Sequence, residues 1–156
     1  MERKIELMEQ PAQLVVGKRF RTSMAKVAGD IGAGFGALFA YLGELGEHPS
    51  GPPFALYYGP DFDPDDFEME LCVPVNRRLE GKDDLVAREV PGGLAAATTY
   101  KGPYSEMETV YGEREAWIKG GGYRKAGPAR EVYLNDPRRT PEAELLTEVS
   151  FPVAKA

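Results

Sequence analysis

The sequence predicts an α+β fold: duplicated βαββ units with pseudo-two-fold symmetry, forming an antiparallel sheet with two helices packed on it. A strand motif recurs at half the chain length, each half carries one helical apolar period, and the remaining apolar runs alternate as strands do. The recurring motif is Phe67-Glu68-Met69-Glu70-Leu71-Cys72-Val73-Pro74-Val75 against Leu145-Leu146-Thr147-Glu148-Val149-Ser150-Phe151-Pro152-Val153. Upstream, Phe54-Ala55-Leu56-Tyr57-Tyr58 matches Arg130-Glu131-Val132-Tyr133-Leu134, so that Tyr57 falls on Tyr133 and Ala55 on Glu131. The offsets are 78 and 76 residues in a chain of 156. Two copies are too few for a solenoid, and the length suits one core. Residues 1–156 are therefore read as a single domain with half-repeats at about 5–75 and 85–153.

In the first half, Gln13 to Arg21 carries Leu14, Val15, Val16 and Phe20 and reads as a strand. Val27, Ile31, Phe35, Leu38, Leu42 and Leu45 then recur at helical steps, with Phe35 and Phe39 expected in the core. Gly29, Gly32, Gly34 and Gly36 each cost about 1 kcal/mol relative to alanine, so tertiary packing must hold this helix. A Pro/Gly loop leads to strands Phe54–Tyr58 and Phe67–Val75, joined by the acidic segment Gly59–Asp66, and Asn76–Asp84 reads as a charged linker. In the second half Leu94–Tyr100 is a strand, and Ser105 with Glu108 forms a capping box. Met107, Tyr111, Arg114, Trp117 and Ile118 follow a helical period until Gly120-Gly121-Gly122 ends it. Strands Arg130–Leu134 and Leu146–Val153 close the half.

Composition narrows the chemistry. Apolar residues make up 42% of the chain and charged residues 28%, the balance of a folded soluble domain. The net charge of −6 repels phosphate and disfavours nucleic-acid or anionic-membrane partners. No 18 apolar residues run together and no secretory leader is legible, so the cytoplasm is the expected compartment. A single cysteine, Cys72, and a single histidine, His48, exclude a four-ligand zinc site and a disulfide framework. His48 reads as a solvated loop residue and Cys72 as a strand thiol. The run Asp61-Phe62-Asp63-Pro64-Asp65-Asp66 lacks the glycine and terminal glutamate of a calcium loop. No metal or cofactor is expected. What stands out is 8 tyrosines in an acidic chain.

Strand alternation sorts those residues into faces. Leu71, Val73 and Val75 share one face and Glu68, Glu70 and Cys72 the other; Thr147, Val149, Phe151 and Val153 oppose Leu146, Glu148 and Ser150. Glu70 and Glu148 read as exposed strand-face acids. Glu131 shares a face with Tyr133, and its counterpart in the other half is uncharged. Pattern alone leaves two readings of Glu131: a solvated surface acid, or one charge in an aromatic setting.

The run Glu131-Val132-Tyr133-Leu134-Asn135-Asp136-Pro137, followed by Pro141-Glu142 and Glu144 through Val153, closely resembles the C-terminal signature of GyrI-like small-molecule-binding domains. Gly102-Pro103-Tyr104, Tyr111, Trp117-Ile118 and Gly122-Tyr123 fit as well. That family includes gyrase-inhibitory proteins and the effector-binding domains of AraC-type and MerR-type regulators. The resemblance implies a pocket between two helices and the sheet, lined by aromatics, in which the Glu-x-Tyr glutamate, here Glu131, engages lipophilic cations. Tyr133, Trp117, Tyr111, Tyr104 and Tyr57 are the implied walls. Some stand-alone members resemble hydrolases that open cyclopropane-containing electrophiles with a glutamate and a tyrosine; Glu131 with Tyr104 or Tyr111 would fill those roles. A third reading is a protein partner, gyrase or a separate regulator. Arg114 departs from the family, which usually has an apolar residue there, and a guanidinium at that position could pair with Glu131. No helix-turn-helix is legible, so the domain itself is not expected to bind DNA.

These residue types suit the implied chemistry. A carboxylate among apolar groups is costly unless paired, so a cationic ligand can supply its partner. Aromatic faces add cation–π attraction of about 0.5–2 kcal/mol each. In the hydrolase reading the same glutamate is general base on a water while a tyrosine hydroxyl protonates the leaving group.

Overall fold

The computed structural model describes residues 5–58, 63–102, 108–135 and 139–155, except for the side chains of residues 108–111, 114 and 142. Ser105, the loop residues 59–62 and the side chain of Glu108 lie outside that description. The chain forms two compact units, one of residues Ala12–Pro91 and one that joins the segment ending at Pro11 to the segment beginning at Gly92. Mostly antiparallel sheet with two helices gives the α+β class.

The 12–91 unit contains β2 (Gln13–Thr22), α1 (Val27–Leu45), β3 (Phe54–Tyr58), β4 (Phe67–Pro74) and β5 (Leu85–Val90). Its strands run in the order β3-β4-β2-β5, every pair antiparallel. Partners across a ladder share a face. Ala55, Leu71 and Lys18 thus form one row, and Tyr57, Met69 and Phe20 the next. This face carries α1. Gly34 of the helix sits against Leu71 and Phe20, and Thr22 Oγ1 donates to Asp30 at 2.6 Å.

Helix α1 spans the predicted residues, but its buried line differs from the expected one. Gly34, Leu38, Tyr41 and Leu42 are buried, Phe35 is half-buried, and Phe39 and Leu45 are exposed. The expectation that Phe35 and Phe39 are core is corrected. With no side chain at Gly34, the helix approaches Leu71 along that line and turns the two rings outward, where they pair at 6.1 Å.

The opposite face of this unit holds a second correction. Glu70 is buried, not exposed. Arg88 grips it with two bonds, Nε to Oε2 at 3.0 Å and Nη2 to Oε1 at 2.5 Å, while the Tyr58 hydroxyl donates to Oε1 at 2.6 Å. Arg19 lies 3.8 Å over the Tyr58 ring. Gly17 makes the room: a Cβ there would meet Glu70 Oε2 at 2.7 Å. Burial alone would push the Glu70 carboxyl up, but the bonds from Arg88 and Tyr58 outweigh it and hold the group below the usual range. Burial, then the bond to Glu70, holds the Tyr58 phenol well above its ordinary value. Pattern reasoning missed this network because Arg88 sits on β5, in a stretch assigned no element.

The other unit contains β1 (Glu6–Gln10), β6 (Gly93–Lys101), α2 (Glu108–Gly120), β7 (Tyr123–Lys125), β8 (Ala129–Tyr133) and β9 (Leu146–Lys155). Its order is β1-β6-β9-β8, with β7 on the far end of β9. Strands β1, β5 and β7 are additional to the predicted elements. The first and last are too short for a readable alternation, at 5 and 3 residues.

Two outcomes test the Glu70 network. Arg88→Met should lower unfolding free energy by about 2–4 kcal/mol, because it leaves a buried carboxylate with its main partner removed. Glu70→Gln should cost about 2–3 kcal/mol at pH 7. A group with a depressed folded pKa contributes fully above its unfolded value and loses that contribution as pH falls. Urea melts of wild type and Glu70→Gln should therefore converge below roughly pH 4.3.

Candidate functional site

The candidate site is a face of the β1-β6-β9-β8 sheet, and register defines it. Thr98 on β6, Val149 on β9 and Glu131 on β8 form one row. Tyr100, Thr147 and Tyr133 form the next. Ala96 opposite Phe151 extends the same face. The Tyr133 hydroxyl donates to Glu131 Oε1 at 3.3 Å, and Glu131 is only 8% exposed. Burial of this acid excludes the reading of Glu131 as a solvated surface group.

Helix α2 lies over the same face. Lys125 and Tyr123 on β7 pair with Val153 and Lys155 of β9, which place them on the side of Phe151. Lys125 Nζ stands 5.5 Å from the Phe151 ring and 2.6 Å from Glu115 of α2. The Trp117 indole of α2 stacks on Tyr123, centroids 6.0 Å apart and planes within 5°. Ile118 beside it is buried.

Two side chains of this face are orphaned. The hydroxyls of Thr98 and Thr147 are buried with no hydrogen-bond partner among the described residues. A buried unpaired hydroxyl costs about 1–3 kcal/mol. The same positions in the 12–91 unit are Lys18 and Met69, and those equivalent to Glu131 and Tyr133 are Ala55 and Tyr57. The two faces thus share one register, while the polar groups Glu131, Thr98 and Thr147 belong to one of them. Tyr100 is fixed at the end of its row by Gly102. That residue has φ +142°, and a Cβ on it would meet the Tyr100 hydroxyl at 2.9 Å.

Of the residues singled out in the sequence, Glu131, Tyr133 and Trp117 belong to this sheet-and-helix layer. Tyr57 stands in β3 of the 12–91 unit, half-buried, its ring 6.2 Å from Phe67. Tyr104 lies outside the described residues, as do the side chains of Tyr111 and Arg114. Glu148 is half-buried on the reverse face, opposite Thr99. Thr98, Thr147 and Tyr100 were missed. A signal existed for Thr147: it is a polar residue on an apolar strand face where the repeat has methionine. Among the described residues no group of three His, Cys, Asp or Glu is arranged around a metal-sized centre, and no helix is long and apolar enough to cross a membrane.

A profile of the GyrI-like small molecule binding domain matches residues 3–154. The chain belongs to that family. No curated protein sequence matches this GyrI-like chain. Among solved structures, the C-terminal domain of EcmrR is 24% identical, with a TM-score of 0.87 and 100% of both chains covered. A hydrolase from Listeria innocua is 16% identical with a TM-score of 0.71, covering 98% of this chain and 93% of its own. SAV2435 bound to tetraphenylphosphonium is 15% identical with a TM-score of 0.60, covering 99% and 94%. At these identities the likeness carries the fold, which is the GyrI-like one.

Trp117 is the chain's one tryptophan, so its emission reports on α2. Tyr123→Ala should shift that emission to the red and cost about 1 kcal/mol in a denaturant melt, the stacking contribution of an aromatic pair.

Proposed function

We propose that this GyrI-like domain binds lipophilic aromatic cations over the Glu131 face, with Glu131 as the charge and Tyr133, Trp117, Tyr111 and Tyr104 as the aromatic surroundings. The single observation that carries the reading is the placement of a buried acid on a helix-covered, aromatic-rich sheet face whose counterpart in the other unit has Ala55. A fold needing only a core at that position is served by alanine. A carboxylate there favours a positively charged partner, and its low-dielectric surroundings strengthen the attraction. The likeness to a protein solved with tetraphenylphosphonium supports the same ligand class. Sensing or sequestration of drugs or toxins is the role that fits.

Tetraphenylphosphonium titrated calorimetrically into wild type and Glu131→Gln tests this. Wild type should bind and Glu131→Gln should bind about 10- to 100-fold more weakly, the loss of a charge-assisted contact. Equal affinities would remove Glu131 from the reading. A second reading, a cofactor-free hydrolase, is favoured by the Tyr133 hydroxyl bonded to Glu131, an acid and a base in contact. Mass analysis of a cyclopropane-bearing alkylator after incubation decides it. Turnover lost in both Glu131→Gln and Tyr133→Phe would support hydrolysis, and unchanged substrate would exclude it.

A further inference from the structure

We propose that Thr98 and Thr147 are specificity-determining residues: their hydroxyls select organic cations that also carry a hydrogen-bonding hydroxyl or amine over cations that are purely hydrocarbon at their periphery. The inference rests on the reading of the Glu131 face as the ligand site and adds to it what kind of ligand that site prefers.

Both threonines point to the helix-covered face, and each is less than a tenth exposed, at 5% for Thr98 and 0% for Thr147. Neither hydroxyl has a partner among the described residues. The fold does not call for hydroxyls here. The register equivalent of Thr147 is Met69, itself fully buried, and valine would match threonine in shape and suit a strand as well. Position ties them to Glu131. Thr147 is the diagonal neighbour of Glu131 across the β8–β9 ladder, roughly 7–8 Å away in such pairs. Thr98 flanks Val149 from the other side, so it stands two strand spacings from Glu131, about 10 Å. A ring-sized cation seated against Glu131 therefore spans to one hydroxyl or both. Tyr133, half-buried, is the cross-strand partner of Thr147. A ligand group that bonds to such a hydroxyl meets no competing solvent, whereas one lacking it leaves the hydroxyl unpaired.

The test uses tetraphenylphosphonium and its three mono-hydroxyphenyl isomers, equal in charge and close in shape, against wild type, Thr98→Val, Thr147→Val and Glu131→Gln. At least one isomer should bind wild type about three- to tenfold more tightly than the parent. That gain should vanish in Thr147→Val or Thr98→Val, so that each variant binds the isomers and the parent alike. The valine variants should melt at or above the wild-type temperature. A melting temperature lowered by several degrees would mean the hydroxyls have a structural partner, and would overturn the proposal, as would isomers that gain nothing over the parent. If the parent binds and Glu131→Gln weakens it while the valine variants keep the isomer gain, the threonine assignment fails and the ligand-site reading stands. If no phosphonium binds at all, both fall.

Discussion

A sheet face covered by a helix has to be apolar, or its polar groups have to be satisfied by something nearby. That constraint organises both units. In the 12–91 unit the covered rows hold Ala55, Leu71 and Lys18, then Tyr57, Met69 and Phe20, and the close seat of Gly34 on Leu71 offsets the cost of a glycine-rich helix. In the other unit the same register holds Glu131, Val149, Thr98, Tyr133, Thr147 and Tyr100. The second set is more polar at three positions where the first shows that the architecture accepts less polarity.

Among the described residues two glutamates are buried, in contrasting ways. Glu70 is clasped by a forked guanidinium and a phenol at 2.5–3.0 Å, and Gly17 gives up a side chain to accommodate it. Such an arrangement is fully engaged and rigid, and belongs to the stability of the 12–91 sheet. Glu131 accepts a hydrogen bond from the Tyr133 hydroxyl at 3.3 Å, longer than the bonds that hold Glu70. The register equivalent of Glu70 is Glu148, and the residue matching Arg88 on the neighbouring edge strand is Met8. The ion-pair clasp therefore belongs to one unit and the rows of Glu131, Thr98 and Thr147 to the other.

Most of this was legible in the sequence where alternation and repetition reinforced each other. The match of Tyr57 with Tyr133 and of Ala55 with Glu131 follows from the repeat, but pattern alone left Glu131 between two readings, and the resemblance of the Glu-x-Tyr strand motif chose between them. The Glu70 network was not legible, because its arginine comes from a strand adjacent in space and not in pattern. The outward turn of Phe39 was not legible either: helical period locates a stripe, but a glycine in the contact line shifts which edge of the stripe is buried. The orphaned threonines needed the register. A strand's own sequence gives the face of each residue and says nothing about whether a hydroxyl finds a partner on the next strand.

Strand β1 precedes the whole of the 12–91 unit, and its ladder partner β6 follows that unit. On a ribosome, β2 through β5 emerge as one contiguous block. Residues 6–10 have no edge to join until β6 and the segments beyond it are made. The ring of contacts that closes through β1 is long in sequence, and its closure entropy is charged to the unit bearing Glu131. Assembly is thereby ordered: the contiguous 12–91 block is made first, and the unit bearing Glu131 closes its sheet only when its last strand has followed.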